Sequence, residues 1–517
     1  MTTRSLPPTW PTVVHMLADA AASAPATEAL VCGERRLSYR EVVACVAALA
    51  GEWRALGAAG GRIATLLGNS TDACIAAFAA LAAGAQHVPL NPLYTAHELA
   101  PILADAAPAV LVVDESLAPA AVPLARELGI AQVVVVGAGA RRLDALRGGD
   151  AVALPPLPAP DSLALLQYTG GTTGRAKGVD LTHRAIAVNV AQREALLPTR
   201  RGDRVICMMP LSHAYGMAMG MFLSINSAST LVILTRYQPD EVLATVERER
   251  IGVFPGSPTV FVGLLGHPRF GATDWSSVHT CYSGASALAE ATLARWAAGV
   301  GAPVHEGYGL TEAGPVLSFN PVGGPIKPGS VGIAVPDTEI QIVDVEDGTR
   351  RLGPGERGEI RARGPQLMRG YRNRPEETAA ALRDGWLYTG DIGELDRDGY
   401  LHIRDRKKEM LIVGGYNVYP REIEELLFAH ADVADVAVVG AADDFRGETP
   451  LAHVVLRARS RADEQTLLDH CRAHLARYKV PSRVVFHDAL PKTFASKTDK
   501  NALRRLNPDT TTHRSKR

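Results

Sequence analysis

The sequence predicts an α/β fold: a large N-terminal domain of βαβ layers with a small β-rich subdomain, followed by a small mobile α+β C-terminal domain. Three observations predict it. Short β-branched runs alternate with helix-like stretches in the middle of the chain, short strands with turn residues follow, and helices and strands mix at the end. At 517 residues the chain has room for about three structural units.

The alternating pattern runs from about Leu163 to Leu310. Examples are TLVILT before RYQPDEVLATVERER, IGVFPGS before PTVFVGLL, VHTCYSG before ASALAEATLARWA, LALLQYT before GGTTG, and VHEGYG before LTEAG. Strands that alternate with helices predict a parallel sheet, and ligands bind such sheets at the C-terminal ends of the strands. The turns GGTTG, CYSGAS and EGYGLTE are therefore expected around one crevice.

The pattern changes after Pro325, where GEIRARG, GWLYTGD and GYLHIRD predict short strands separated by turns. A charged run, Arg404–Glu409, then precedes an acidic helix that starts at Glu422 and a compact α/β end. We place the domain boundary in this run, with residues 1–406 in the large domain and residues 407–517 in the small one.

Composition excludes several classes of protein. Lys+Arg 54 and Asp+Glu 55 give a formal charge of -1, so no basic field attracts nucleic acid. The six cysteines are scattered without metal-ligand spacing, which predicts reduced core thiols. No secretory signal or membrane span is recognisable, and the apolar stretch Ala73–Ala85 predicts a buried helix. We therefore expect a cytoplasmic protein.

A Gly/Thr-rich loop, TGGTTGRAK, spans Thr169–Lys177 directly after a predicted strand. Glycines allow backbone N–H groups to surround a phosphate, threonines add hydroxyl donors, and Lys177 adds a cation. The spacing is not that of a Walker A loop, because the lysine stands three residues after its glycine. Alone, such a loop is a flexible turn about as often as a nucleotide site.

A second motif, EGYGLTE, spans Glu306–Glu312. Its glycines allow close ligand approach, Tyr308 offers a flat face for a purine, Thr311 a hydroxyl for phosphate, and Glu312 a carboxylate for Mg²⁺. Singly, Tyr308 is more often a packing residue and Glu312 a helix N-terminal acid. Only the combination indicates a nucleotide site.

Two further elements lie toward the end of the chain. Asp391 in YTGD and Arg406 supply an acid and a base suited to ribose hydroxyls, although a turn aspartate and a surface arginine would look the same. Lys497 in LPKTFASK, taken alone, is a solvated tail lysine.

Taken together, these motifs resemble the adenylate-forming superfamily of acyl-CoA synthetases, peptide-synthetase adenylation domains and firefly-type luciferases. TGGTTGRAKG, EGYGLTE, YTGD, DRKKEMLIVGGYNVYPREIEE, ARYKVP and LPKTFASK occur in its order and spacing over nearly the whole chain. The sequence is most similar to bacterial fatty acyl-CoA ligases, through YTGGTTG, GYGLTEAGPVLSFNP, GYRNRPEET and DGWLYTGDIG. The resemblance implies a carboxylic acid:CoA ligase that forms acyl-AMP and pyrophosphate and then acyl-CoA.

The resemblance implies a role for each matching residue. The phosphate loop would consist of Thr169, Gly170, Gly171, Thr172, Thr173, Gly174 and Lys177. The adenine and the acyl group would be bordered by Ser283, Gly284, Ala285, Gly307, Tyr308 and Gly309. The remaining contacts would be Thr311 with the α-phosphate, Glu312 with Mg²⁺, Asp391 and Arg406 with the ribose, and His213 with the acyl carboxylate.

The small domain would supply the catalytic lysine. Lys497 would bridge the carboxylate and the α-phosphate during adenylation, and rotation about Lys408 would then bring Gly414 and Gly415 to the thiol tunnel. Ser496 stands directly before Lys497, where the family normally has Gly. If that position needs φ > 0, Ser costs roughly 1 kcal/mol or more and slows docking of the lysine.

Substrate and acceptor follow from less specific observations. The stretch AYGMAMGMF after His213 is apolar and has no evident partner for a second charge, which favours a medium- or long-chain fatty acid or another apolar acid. No cysteine lies within the motifs, which favours coenzyme A as an external acceptor. An aryl acid, a carrier protein as acceptor, and a nucleotide-binding module without turnover stay open as alternatives.

The expected small molecules are therefore ATP, Mg²⁺, coenzyme A and a carboxylic acid. We expect no nucleic-acid partner and no integral membrane segment, and a homodimer stays open.

Overall fold

The computed structural model describes residues 6–7, 9–148, 153–169, 176–284, 288–407, 409–413, 416–443, 446–458, 460–492 and 498–506. The chain divides into two compact units. The first unit comprises Met1–Ile340, Arg361–Tyr388 and Gly399–Leu401, and the second comprises Gln341–Ile360, Thr389–Asp398 and His402–Arg517. The domain boundary after residue 406 stays a prediction.

The helices, in chain order, are α1 Val13–Ser23, α2 Tyr39–Ala55, α3 Thr71–Ala82, α4 Ala96–Ala106, α5 Ala118–Glu127, α6 His183–Leu196, α7 Ala214–Gly216, α8 Leu223–Asn226, α9 Pro239–Arg248, α10 Pro258–Leu265, α11 Glu290–Val300, α12 Pro375–Ala381, α13 Pro420–Phe428, α14 Glu464–His474 and α15 Lys500–Arg505. A π-helical turn spans Met217–Phe222, and 3₁₀ turns span Leu143–Gly148, Phe270–Ala272 and Thr311–Ala313.

The strands, in chain order, are β1 Glu28–Cys32, β2 Arg35–Ser38, β3 Arg62–Leu66, β4 Gln86–Pro89, β5 Val110–Asp114, β6 Gln132–Val136, β7 Leu163–Thr169, β8 Lys177–Thr182, β9 Arg204–Cys207, β10 Thr230–Ile233, β11 Val253–Gly256, β12 Thr280–Ser283, β13 Val304–Gly309, β14 Val316–Phe319, β15 Ile333–Ala334, β16 Glu339–Val343, β17 Gly358–Arg363, β18 Gly370–Tyr371, β19 Leu382–Arg383, β20 Trp386–Leu395, β21 Leu401–Arg406, β22 Leu411–Val413, β23 Tyr416–Val418, β24 Val433–Asp443, β25 Gly447–Leu456 and β26 Arg483–Phe486.

The first unit contains a nine-stranded sheet and a seven-stranded sheet. The nine strands have the order β15-β14-β13-β12-β11-β9-β10-β1-β2, and the neighbours from β13 to β1 are parallel. The seven strands have the order β18-β8-β7-β4-β3-β5-β6, with parallel pairing from β7 to β6. Sheets built on parallel strands with connecting helices confirm the predicted α/β class.

Two smaller sheets follow. One has the order β16-β17-β20-β19, with β21 beside β20, and corresponds to the predicted β-rich segment. The other, in the second unit, has the order β23-β22-β25-β24, with β26 beside β25. Helix α13 and helix α14 contribute Ile423, Leu427, Leu467 and Cys471 to the core that packs with this sheet. The predicted compact α/β end of the chain is confirmed.

Aromatic packing fixes the helices that follow β11 and β12. The ring centroids of Phe261 on α10 and Trp296 on α11 lie 4.6 Å apart, and Phe254 on β11 lies 5.4 Å from Trp296. All three side chains are fully buried, so this cluster excludes water and holds α10 and α11 together. The cluster therefore fixes α10 and α11 against β11.

Two of the expected strand-to-helix turns are wrong. After the GGTTG loop the chain enters β8, which pairs antiparallel with β7 so that Thr169 lies opposite Lys177. The helix begins only after Thr182, whose hydroxyl accepts a hydrogen bond from the Ala185 N–H. After EGYG the chain likewise makes a 3₁₀ turn and enters antiparallel β14.

Other expectations agree with the structure. The apolar stretch after Ala73 lies in α3, in which every residue from Cys74 to Ala82 is buried. Five of the six cysteines are buried, Cys32 is partly exposed, and none is in a disulfide. In the part of the chain that the structure describes, no helix has the length and apolarity needed to cross a bilayer.

Candidate active site

The ends of β12 and β13 lie side by side in the first unit. Ser283, the last residue of β12, pairs with Glu306 of β13, so β12 ends at the carboxyl edge of the parallel sheet beside the start of the EGYG segment. Glu306 is buried, and its carboxylate accepts a hydrogen bond from the Leu288 N–H at 2.9 Å. This carboxylate thereby ties the chain that follows the CYSGAS turn to the start of EGYG.

Ser283 and Gly284 lie at this edge of the sheet. Ser283 is 1% exposed, and its Oγ has no hydrogen-bond partner among the described residues, which makes it a buried polar atom that a ligand would satisfy. Gly284 lies against the Tyr215 ring, since a Cβ at this position would stand 2.6 Å from a ring carbon. The glycine is required for this packing.

Tyr215 was not identified as a site residue from the sequence. In the structure its side chain packs against Gly284 and contacts the end of β11. Its hydroxyl donates to the Gly256 carbonyl at 3.0 Å, at the end of β11. Burial raises the pKa of the Tyr215 phenol well above its usual range, so the group remains a donor. Tyr215 thus fixes the residues after His213 to the ends of the neighbouring strands.

The two glycines of EGYG are explained by packing within the chain. A Cβ on Gly307 would stand 2.3 Å from the Phe319 ring, and a Cβ on Gly309 would stand 1.9 Å from the Pro315 carbonyl oxygen. Any side chain at either position would displace β14 or the turn before it. Tyr308, between them, is half-buried and pairs with Ser318.

Glu312 lies in the 3₁₀ turn that follows EGYG, beside Thr311, and both are half-buried. Its Oε1 accepts a hydrogen bond from the Tyr371 hydroxyl at 2.8 Å. Burial and the neighbouring Glu312 carboxylate raise the pKa of Tyr371, which keeps its O–H as a donor. The carboxylate is therefore held in a defined orientation.

Lys177 contacts the ring of the same tyrosine. Its ammonium lies 5.1 Å from the centre of the Tyr371 ring and forms an ion pair with Glu377. Thr169 lies opposite Lys177 in the β7–β8 ladder. Tyr371 thus connects Lys177, at the start of β8, with Glu312 in the turn that follows EGYG.

His213 lies on the surface at the start of α7, where its Nδ1 accepts a hydrogen bond from the Tyr215 N–H at 3.2 Å. The preceding residue is tied to the phosphate-loop strand, because the Gln167 amide N–H donates to the Ser212 carbonyl at 3.0 Å. Gln167 is 4% exposed, and its Oε1 has no hydrogen-bond partner among the described residues.

Two apolar cavities, nearly filled by side chains, border the residues after His213, and their open volume is about 10 Å³ in the first and about 0 Å³ in the second. The first, which we call the Gln167 cavity, is lined by Leu165, Gln167, Leu181, Ile186, Ala214, Met217, Ala218, Phe222, Gly314 and Pro315. The second is lined by Cys207, Met209, Tyr215, Gly216, Met219, Gly220 and Pro255. Both are bordered by the π-helical turn Met217–Phe222, a local irregularity that is frequent at functional sites.

The predicted ribose pair lies in the second unit. Asp391 on β20 is 6% exposed, and its Oδ1 lies 3.2 Å from the Nε of Arg406 on β21. The Arg406 side chain is largely exposed. The structure therefore brings this acid and this base together, as the sequence interpretation requires.

Nine of the predicted site residues lie outside the described residues. They are Gly170, Gly171, Thr172, Thr173, Gly174, Ala285, Gly414, Gly415 and Lys497. The predicted hinge residue Lys408 and Ser496 also lie outside them. Their roles stay predictions.

The donor set in the first unit fits Mg²⁺. Among the described residues no group of three or more His, Cys, Asp or Glu side chains is arranged to hold a metal ion. Mg²⁺ needs no such cage, because it is usually held by one or two carboxylates together with substrate phosphates and water. Glu312 offers one carboxylate oriented by Tyr371, and Lys177 contacts the ring of the same tyrosine, so the residues present are compatible with this ion.

Comparison with known proteins identifies the family of the chain. A family model described as AMP-binding enzyme matches residues 17–372, and one described as AMP-binding enzyme C-terminal domain matches residues 422–497. A long-chain-fatty-acid–CoA ligase of Bacillus subtilis is 36% identical, over 97% of this chain and 95% of the relative. A feruloyl-CoA synthase of an Amycolatopsis species is 37% identical over 92% of this chain and 94% of the relative.

The fold agrees as well. The crystal structure of ATP-bound MatB from Rhodopseudomonas palustris superposes with a TM-score of 0.90 at 32% identity, and covers 96% of this chain and 98% of that one. Likeness at this level spans both family regions and the strands that hold the site. The chain belongs to the AMP-binding enzyme family and is an AMP-forming acyl-CoA synthetase.

Proposed function

We propose that the enzyme activates a medium- or long-chain fatty acid or another apolar carboxylic acid, forms its acyl-AMP, and transfers the acyl group to coenzyme A. The observation that supports this most directly is the stretch Ala214–Phe222. All nine residues are buried, none is charged, and they border both apolar cavities. A substrate chain with a second charge would lose its hydration there without gaining a partner.

The methionines of Ala214–Phe222 would allow acyl chains of different shape to bind. Met217 lines the Gln167 cavity and Met219 the second cavity. Their unbranched, flexible side chains adapt to irregular apolar ligands at small cost. The two cavities have almost no open volume, so the proposed binding of an acyl chain requires these side chains to change rotamer.

Adenylation requires a carboxylate to approach an anionic triphosphate. In the proposed reaction, Lys177 and the phosphate loop hold the triphosphate, Thr311 contacts the α-phosphate, and Asp391 with Arg406 binds the ribose. Mg²⁺ on Glu312, when bound, neutralises phosphate charge. The Glu312 carboxylate and the Lys177 ammonium both contact Tyr371, so the proposed metal ligand and the proposed phosphate ligand are held by one side chain.

The second step requires access for a thiol. We propose that Lys497 acts in adenylation alone, and that the loop with Gly414 and Gly415 lines the path of the thiol afterwards. Lys497→Ala is therefore expected to abolish adenylation and to leave thioester formation from supplied acyl-AMP largely intact. Equal loss of both half-reactions would contradict this assignment.

An aryl acid is the second candidate, and Gln167 is the observation that favours it. Gln167 lines an otherwise apolar cavity and its buried Oε1 lacks a partner among the described residues, so an acid whose hydroxyl reached this oxygen would gain a hydrogen bond. The feruloyl-CoA synthase relative acts, by its name, on a hydroxylated aryl acid. Its likeness to this chain is close to that of the fatty-acid relative.

The test is a comparison of kcat/KM for saturated acids from octanoate to palmitate with values for benzoates and hydroxycinnamates, using coenzyme A as acceptor. Ala218→Val and Ala218→Phe fill the Gln167 cavity in two steps, and Ala298→Phe on the exposed face of α11 is the control. We expect the Ala218 variants to lose activity on the longest acids first, with KM for ATP unchanged. A preference of the unsubstituted enzyme for hydroxycinnamates would favour the aryl candidate.

A further inference from the structure

The ammonium group of Lys177 is already engaged in the structure. It forms an ion pair with Glu377, the third residue of α12, and lies over the Tyr371 ring. The exposed fractions of the two charged side chains are 22% for Lys177 and 36% for Glu377. The pair is therefore only partly hydrated, and solvent screens it less than a fully exposed pair.

The backbone around this pair is fixed. Tyr371 lies in β18, which pairs antiparallel with β8 so that Tyr371 stands opposite Val179. The Tyr371 N–H donates to the Thr378 hydroxyl on α12 at 2.9 Å. The strand that begins with Lys177 and the helix that contains Glu377 are thus joined through one short strand.

Glu377 has a second cation within reach. The Nε of Arg374 lies 3.8 Å from its Oε1. If Lys177 turns away, the carboxylate keeps a positive neighbour and stays compensated. Departure of the lysine is therefore less costly than the opening of an isolated ion pair.

The proposed function requires Lys177 to bind a phosphate, and a carboxylate and a phosphate compete for the same ammonium. We propose that Glu377 is the counter-ion that holds Lys177 while no nucleotide is bound, and that the triphosphate displaces it, so that Glu377 lowers the affinity for ATP. This inference rests on the proposed role of Lys177. It predicts that the negative charge of Glu377 weakens ATP binding, because the ion pair must open and the charge then repels the phosphates.

The test is the equilibrium dissociation constant of ATP in the presence of Mg²⁺, measured by calorimetry on the full chain without acid substrate. Glu377→Gln keeps the shape of the side chain and removes its charge. Glu376→Gln removes the charge of the exposed neighbour on the same helix and is the matched control. Opening a partly exposed ion pair costs about 0.4–1 kcal/mol, which at 1.4 kcal/mol per tenfold changes the dissociation constant about two- to fivefold.

We expect Glu377→Gln to bind ATP about two- to fivefold more tightly, Glu376→Gln to bind as the unsubstituted protein does, and the difference to shrink as salt is raised. The KM for ATP in pyrophosphate exchange should fall in the same ratio. Unchanged or weaker binding by Glu377→Gln, or equal tightening by both variants, would overturn the inference and leave the proposed function intact. Failure of the unsubstituted protein to bind ATP would overturn both.

Discussion

Replacing Tyr371 by Phe removes one hydroxyl and keeps the ring under Lys177. The hydroxyl donates to Glu312 Oε1 at 2.8 Å. A hydrogen bond to a charged group contributes about 1.5–3 kcal/mol, and the half-buried position favours the lower end of that range. At 1.4 kcal/mol per tenfold, the concentration of Mg²⁺ that gives half-maximal ATP binding should rise about tenfold.

In the assay, Mg²⁺ is titrated at a fixed ATP concentration and the heat of nucleotide binding is recorded at each step. Tyr400→Phe is the matched control, because it removes another phenol hydrogen bond, to the Pro325 carbonyl at 2.9 Å, and does not touch Glu312. Tyr371→Leu, which also removes the ring, should weaken ATP binding further. An unchanged Mg²⁺ dependence in Tyr371→Phe would refute the view that this hydroxyl orients Glu312.

Three further changes test other parts of the structure. Asp391→Asn should raise the KM for ATP about tenfold with little change in melting temperature, and an unchanged KM would exclude Asp391 from ribose binding. Gly309→Ala should prevent folding, because its Cβ would stand 1.9 Å from the Pro315 carbonyl oxygen. Gly51→Ala is the control, since this helical glycine has open space around it. In urea unfolding, Gly51→Ala should be neutral or should stabilise the protein by about 0.5–1 kcal/mol. Burial lowers the pKa of His87 to about 3, so below about pH 6.5 the unfolded chain binds a proton at this residue that the folded chain does not bind. The free energy of unfolding should therefore decrease as the pH is lowered, by about 2 kcal/mol at pH 5. His87→Gln should lack this part of the decrease.

The pattern of apolar residues correctly predicted those strands and helices in which that pattern is clear within the element itself. IGVFPGS and PTVFVGLL became β11 and α10, and the Ala-rich stretch after Ala73 became the buried α3. The pattern failed at KGVDLT, which forms β8 against β7. Six residues between a Gly-rich loop and a helix show too little alternation to identify a strand, and only pairing across the hairpin defines it.

The resemblance to the adenylate-forming superfamily identified site residues that lie far apart in the sequence and that local pattern does not relate to one another. Asp391 and Arg406 lie on different strands, and the structure brings them to 3.2 Å. Their assignment to the ribose depends on order and spacing along the whole chain, since each alone is an ordinary turn or surface residue.

The residues that the sequence did not identify act through contacts distant in sequence. Tyr371 meets a carboxylate 59 positions earlier in the chain, Glu312, and Glu377 meets Lys177 across a still larger separation. The segment GYRNRPEET was noted for its resemblance, which was the available signal, but nothing local shows which cation or carboxylate its side chains contact. Tyr215 looks like one more apolar residue until its hydroxyl is placed on the Gly256 carbonyl.

The central claim is that the enzyme activates an acid by adenylation and passes the acyl group to coenzyme A. The most direct measurement follows ATP, a medium- or long-chain fatty acid and coenzyme A by phosphorus NMR, with thioester quantified in parallel. We expect AMP, pyrophosphate and acyl-CoA in equal amounts, and no turnover without acid. Release of ADP and inorganic phosphate, or ATP binding without acid-dependent pyrophosphate formation for any acid in the fatty and aryl series, would contradict it.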